Sequence, residues 1–379
     1  MATTITSGVQ YSGIWNLSSQ ASAKALGTWP YPPAQLWTWG YNTSGELGLG
    51  DLTNRSSPVQ VGSLTTWLSI TTGTFFTISI KTDGTLWSWG QNTYGQLGLG
   101  NTTNYSSPKQ VGALTTWYKI AGGQSHTIST KTDGTLWSWG LNLYSGQLGL
   151  GNTTNYSSPK QIGALTAWLN VTCGGYFSIA TKSDGTLWSW GENGDGQLGL
   201  GNTTDYSSPK QVGALTTWSS IATGNTHTIA LKTDNTLWVW GNGANGRLGL
   251  GNTTSYSSPK QVGALTTWSA IAGGFSFTLA VKTDGTLWSW GFNGTGQLGL
   301  SNITYYSSPK QVGALTTWLN IAECLAIKTD GTLWSWGPNT YGKLGVGNTT
   351  SYSSPKQVGA LTTWATPACG ATFTTALKY

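Results

Sequence analysis

The chain has 379 residues and a formal net charge of +6, and only 8% of its residues are charged, against roughly 25% in ordinary globular domains. It carries 23 Trp, 16 Tyr and 54 Gly, and so many Trp exclude a disordered chain. The apolar fraction is 37%, and no apolar run reaches the ~18–20 residues a spanning helix needs, which excludes helical membrane insertion.

Residues 1–34 are distinct from the rest of the chain. The opening MATTITSGVQ has neither the positive flank nor the apolar core of a secretory signal. Between Tyr11 and Pro30 the pattern predicts one short helix, capped by Ser18 or Ser19 and ended by Gly27 and Pro30. Ile14, Trp15, Leu17 and Trp29 in this arm need a surface on which to be buried, which makes them candidate docking residues. The run G-I-W-N-L-S-S-Q…G-T-W-P, from Gly13 to Pro30, resembles a short motif of tailed-bacteriophage structural proteins. That resemblance implies a virion protein, docked to other virion proteins through the arm.

From residue 35 the chain is a repeat. The motif L-W-x-W-G occurs seven times, with its Leu at 36, 86, 136, 187, 237, 287 and 333, and the intervening text is nearly verbatim. Seven units of about 50 residues imply seven copies of one supersecondary module. In the third copy Thr127–Lys131 alternates, Thr132-Asp133-Gly134 turns the chain, and Thr135–Trp139 alternates again. Asp-Gly between two alternating runs is a hairpin signal. Two further runs, Lys109–Leu114 and Trp117–Ala121, raise the count to about four strands per unit, the pattern of a propeller blade.

The two ends are complementary. The chain enters its first unit at Gln35–Gly40 with no preceding strand or Lys-Thr-Asp-Gly turn, and the missing strand stands at the other end, in Gly370–Lys378. The expected fold is therefore an all-β, seven-bladed propeller closed by the C-terminal strand. An open β-solenoid would have no reason to begin and end on complementary halves.

The run Gly140-Leu141-Asn142…Gly146-Gln147-Leu148-Gly149-Leu150-Gly151, then Pro159, Gly174-Gly175 and Asp184-Gly185-Thr186-Leu187-Trp188-Ser189-Trp190-Gly191, resembles the RCC1 (regulator of chromosome condensation) repeat over residues 35–379. The resemblance implies a seven-bladed propeller. It also raises an alternative function, guanine-nucleotide exchange or a regulatory interaction scaffold, although the founding member's inserted β-wedge has no counterpart in these near-identical repeats.

The catalytic inventory is short. His126 and His227 share one repeat position, held elsewhere by Phe76, Phe177, Phe277 and Phe373, and so are expected to be packing variants. Six of the twelve acids are the turn Asp residues, and the rest are scattered. No motif for a nucleophile, phosphate loop or metal site appears, so the expectation is a non-enzymatic protein without cofactor or metal. Cys173, Cys324 and Cys369 have no metal-like spacing and are expected to be reduced. Lys and Arg come singly, which argues against a specific nucleic-acid partner.

Two features remain for recognition. One is a set of cations without a nearby acid in sequence: Lys109, Lys160, Lys210, Lys260, Lys310 and Lys356, each after a Tyr-Ser-Ser-Pro run. Tyr105, Tyr156, Tyr206, Tyr256, Tyr306 and Tyr352 lie close by, and Arg55 stands in for the Tyr and restores the charge in the first unit. Aromatic faces beside Lys make this a candidate rim for a host-surface glycan or receptor. The other is the loop after W-G, which varies most between copies.

Overall fold

The computed structural model describes residues 34–379; the predicted helix and the docking residues Ile14, Trp15, Leu17 and Trp29 lie outside them. Each unit forms a four-stranded antiparallel sheet, and there are seven such sheets. In the second blade the order from the axis outward is Trp67–Thr72, Phe76–Lys81, Leu86–Gly90 and Tyr105–Gln110. The innermost strands of successive blades touch one another around the ring. Among the described residues the one helical element is a 3-10 turn at Ala244–Gly246, and no helix is long and apolar enough to cross a membrane.

The ring closes as expected, with one refinement. Gln35–Gly40 pairs with Phe373–Lys378 from Gln35↔Lys378 to Gly40↔Phe373. Trp364–Cys369 then completes the sheet. The first blade is thus two C-terminal and two N-terminal strands. The strand expected at Lys109–Leu114 is corrected: it runs Tyr105–Gln110, and Val111–Thr116 is the linker to the next blade. Pro108 is tolerated because this is the outer edge strand, where a missing N–H breaks no ladder.

Three Trp hold each blade. Trp67 meets Trp87 and Trp89 edge-on, with centroids 6.3 and 5.9 Å apart, an arrangement favoured by the ring quadrupoles. The second Trp of L-W-x-W-G is buried in every blade and reaches across the seam. Trp139 Nε1–H donates to the Gln96 carbonyl of the preceding blade at 3.0 Å, and the Thr127 hydroxyl donates to that same oxygen at 2.8 Å. A buried carbonyl with two donors is fully satisfied. The indole lies over Gly98, whose φ is +74°, and a Cβ there would stand 2.7 Å from Trp139 Nε1.

Gly98→Ala should therefore destabilise far more than Gly112→Ala, which has φ +61° but open space around it. Both incur about 1–2 kcal/mol for a left-handed backbone; only Gly98→Ala adds ~1–3 kcal/mol of overpacking against the indole. Urea denaturation of the two variants measures the difference.

Candidate functional site

A four-stranded blade has two kinds of ends. On one face lie the Asp-Gly turns and the inter-blade linkers; on the other lie the hairpins between first and second strands and the long loops between third and fourth. The two loop types are stitched together: Gln91 N–H donates to the Phe75 carbonyl at 2.9 Å, and Leu141 N–H to Ser125 at 2.9 Å.

The long loop is built on one buried Asn. In the second blade the Asn92 carboxamide oxygen accepts from Leu97 N–H at 2.9 Å, and its Nδ2 donates to the carbonyls of Asn101 and Thr103 at 3.0 Å each. Asn42, Asn142, Asn193, Asn293 and Asn339 repeat this role. With its backbone pinned, the loop is free to vary in the side chains it exposes. Leu143, Tyr144, Phe275, Ile303 and Tyr305 are all exposed here; Tyr144 shares its position with Tyr94 and Tyr341, and the other four stand where no other blade has the same residue.

The candidate rim is placed differently from a loop edge. Arg55, Tyr105, Lys109, Tyr156, Lys160, Tyr206, Lys210, Tyr256, Lys260, Tyr306, Lys310, Tyr352 and Lys356 all lie on the outermost strands, so they line the outer wall, one pair per blade, and are not gathered into one site. The Lys are exposed, with each Nζ 5.3–5.4 Å from the ring of its own Tyr. Each Tyr hydroxyl accepts from an Asn four residues earlier, at 3.1–3.4 Å. The first blade departs from this. Arg55 is paired with Asp51 at 2.6 Å, because Asp51 occupies the Asn position and Arg55 the Tyr position. Arg55 is therefore not a free cation of the rim.

The other Lys ring is boxed by aromatics, which spacing alone did not reveal. Lys131 Nζ lies 3.6 Å from the Trp137 ring centre and 4.9 Å from that of Trp117. Burial lowers its pKa and Asp133 partly opposes this. Below it, a groove of about 380 Å3 is lined by Leu114, Trp117, Trp137 and Pro159, and grooves of similar size recur at three other seams.

His126 and His227 are fully buried at the starts of second strands. Their Nε2 atoms lie 3.1 Å from the Ser178 hydroxyl and 3.0 Å from that of Thr278, in the adjoining blades. Burial pushes both pKa values down to about 3, so they are neutral packing groups at physiological pH. The three cysteines are free, Cys324 buried and Cys173 and Cys369 half-buried. On the axis, hairpin residues of all seven blades line an open depression of about 170 Å3, in which Glu323 is the one charged lining residue.

These features define a class: a closed, seven-bladed propeller whose blades differ mainly in the side chains of one loop face. The regulator of chromosome condensation (RCC1) repeat model matches residues 34–80, 83–129, 133–181, 184–231, 234–281, 284–322 and 330–377, and the chain belongs to the RCC1 repeat family. A second model of the same description matches within five of the blades. No curated protein matches the chain in sequence. Among solved structures, Prp20p from Saccharomyces cerevisiae, described with its binding to Gsp1p and histones, is 20% identical with a TM-score of 0.81, over 92% of each chain. Human WBSCR16 is 22% identical with a TM-score of 0.82, over 91% of this chain and 100% of that one. Yeast RCC1 (Prp20) bound to Kap60 is 19% identical with a TM-score of 0.82, over 100% and 96%.

The buried histidines make stability acid-sensitive. Their folded pKa of about 3 lies below the unfolded value near 6.5, so below pH 6.5 the unfolded chain binds more protons and stability falls with pH. The loss is on the order of 1.4 kcal/mol per pH unit per histidine until the folded pKa is reached. The double variant H126F/H227F, which installs the residue of the other blades, should show a shallower loss between pH 6 and 4 when urea unfolding is compared across that range.

Proposed function

We propose that this chain is a non-enzymatic binding propeller that serves as a bacteriophage virion component, displaying its loop face to a protein partner or a host-surface glycan. The observation that carries the binding role is the concentration of non-repeated, exposed apolar side chains on one face of a copied scaffold. Leu143 and Phe275, which no other blade matches, are 59% and 66% exposed there, and Tyr144 beside Leu143 is 61% exposed. Exposed aromatics on a rigid frame are what a protein interface uses as anchors. The virion assignment rests on the arm: Gly13-Ile14-Trp15-Asn16-Leu17 and Gly27-Thr28-Trp29-Pro30 resemble the phage motif. In this proposal Ile14, Trp15, Leu17 and Trp29 dock to other virion proteins, and the particle, assembled in the host cytoplasm, is where the chain resides. The exposed Lys–Tyr pairs of the outer wall are the proposed glycan contacts, with cation and aromatic face side by side.

Mass spectrometry of purified virions should detect the chain at a fixed copy number; its absence from particles overturns the virion role. Cross-linking in the same particles should place partner peptides on the loop face. Leu143→Ser with Tyr144→Ser should reduce those cross-links while leaving the melting temperature within a few degrees, because both side chains are solvent-facing.

A second reading, exchange of guanine nucleotide on a small GTPase, is favoured by the fold shared with Prp20p, described as binding Gsp1p. At 20% identity that likeness speaks for fold alone. Unchanged nucleotide release from a GTPase panel is the expected result, and acceleration would reverse the ranking.

A further inference from the structure

Half of the acids outside the Asp-Gly turns stand in one loop. Of six such residues, Glu192, Asp195 and Asp205 all belong to the long loop of the fourth blade, each the only acid at its repeat position. Gln91 stands at the place of Glu192 in the second blade, Asn245 at that of Asp195 in the fifth, and Asn155 at that of Asp205 in the third.

The acids differ in what meets them. Asp205 accepts from the Asn193 N–H at 2.7 Å. Asp195 faces Arg247 of the next blade, and its charge partly offsets the burial that lowers the Arg247 pKa. Glu192 is half-buried; burial, Asp205 and Asp195 all push its pKa up, and only the neutral Gln197 side chain opposes them. No cation meets Glu192 among the described residues, where the one ion pair within 4.0 Å is Arg55–Asp51. Glu323 is the contrasting case. In the seventh blade Trp318–Ala322 passes to Leu325–Lys328 through Glu323 and Cys324 alone, and there the carboxylate has Lys343 as its charge partner and the Phe275 N–H as a donor.

Beside Glu192 lies an aromatic patch drawn from three blades. The Glu192 N–H donates to the Tyr176 carbonyl at 2.9 Å, which ties the acid to the hairpin tip of its own blade. The Tyr176 ring meets that of Tyr144, from the third blade, at 5.6 Å and 65°. Burial raises the Tyr176 pKa, and Tyr144, Glu192 and Tyr94 of the second blade lie close enough to raise it further. Tyr144 is 61% exposed and Tyr94 37%, so both rings reach solvent. At the seam between the seventh and first blades the same corner is filled. There Tyr41 holds the Glu192 position and packs on Tyr341, with centroids 4.7 Å apart. A carboxylate in place of that ring leaves aromatic faces and an unmet negative charge side by side.

We propose that this corner of the loop face docks a basic side chain, Lys or Arg, of a partner protein, with Glu192 as counter-ion and Tyr144 and Tyr176 as aromatic walls. A cation over a tyrosine face beside a carboxylate is attracted by the ring quadrupole and by the charge together. Exposed tyrosines are suited to anchor a protein interface, and the surrounding acids select a basic segment over an acidic one. The inference rests on the loop face being a binding face, but not on the virion assignment or the outer-wall glycan contacts.

The test titrates the full chain with the capped peptides Gly-Lys-Gly and Gly-Arg-Gly, followed by 1H–15N NMR at the amides of Tyr144, Gly146, Tyr176 and Glu192. Gly-acetyllysine-Gly and Gly-citrulline-Gly are the uncharged controls. The charged peptides should shift these amides and leave that of Tyr41 in place. The uncharged ones should bind about tenfold more weakly or worse, as loss of a charge partner predicts. Glu192→Gln installs the second-blade residue; it should weaken the charged peptides by on the order of tenfold without lowering the melting temperature. Tyr144→Leu keeps the bulk and removes the aromatic face, so it should weaken them too, whereas Tyr144→Phe should not. Whichever charged peptide binds more tightly names the partner's side chain. The proposal is overturned if neither charged peptide binds, if the uncharged controls bind as well, or if Glu192→Gln and Tyr144→Leu leave the affinity unchanged. Failure of the peptides while cross-links on the loop face persist overturns this site alone; failure of both overturns the binding face as well.

Discussion

The ring depends on one contact repeated around its seams: a buried indole, a glycine beneath it and, at all seams but one, a carbonyl that accepts its N–H. Glycine is required because the backbone turns at positive φ under the ring, and a side chain would displace the indole. At six of the seven seams the carbonyl also accepts from a Thr or Ser hydroxyl of the next blade; at the seam into the seventh blade Cys324 stands at that position. The indole bond is present at six seams, in Trp39, Trp89, Trp139, Trp190, Trp240 and Trp336. At the remaining one Trp290 Nε1 has no acceptor, although Thr278 still donates to the Arg247 carbonyl at 2.8 Å. There the preceding loop has Gly243 where other blades have the organising Asn, and it takes a 3-10 turn held by Arg247 Nε to Ala244 at 3.0 Å.

This contact explains why so few charges suffice. Each blade buries its apolar Trp and Leu against the next, and the seam hydroxyls, such as those of Thr127 and Ser178, are engaged by backbone carbonyls. Charge is left to four main uses, the first being the turn Asp residues, each of which accepts from the Thr two residues on. Lysines sandwiched by Trp on the turn face extend the aromatic stack. Lysines on the outer wall face solvent. Substitutions at single repeat positions, Arg55 with Asp51, Arg247 and Glu323, mark where the copies have diverged. Asp51 and Arg55 changed as a pair, an ion pair replacing an Asn–Tyr hydrogen bond, which preserves the link between the long loop and the outer strand.

Functional character follows from the same division. The turn face and the seams are constrained by packing and are nearly identical in every blade. The loop face is constrained only in its backbone, through the buried Asn, so its side chains vary at little cost to folding. A propeller of this kind offers a partner one differentiated face on a uniform ring, with the axial depression at its centre made asymmetric by the short seventh hairpin.

Periodicity alone determined the blade count, the strand order within each unit and the closure of the ring, because a repeat copied nearly verbatim must repeat its fold, and complementary ends have one way to pair. The 46-residue spacing before the last L-W-x-W-G was also visible in the sequence, and it was the signal for the shortened hairpin. What only tertiary structure decided was proximity between blades. Trp139 and Gln96 are 43 residues apart, and nothing in their spacing says that one caps the other. The outer strand also fell four residues earlier than its alternation indicated, because an edge strand tolerates Pro108 and half-exposed polar residues that carry no pattern. The Lys–Tyr pairs read as one rim became separate pairs on the outer edges of the blades, since residues equivalent in a repeat are spread around the axis rather than brought together. Glu192 gained significance only once neighbouring blades were known, because its place beside the Tyr144–Tyr176 pair is a property of the closed ring and not of any single copy.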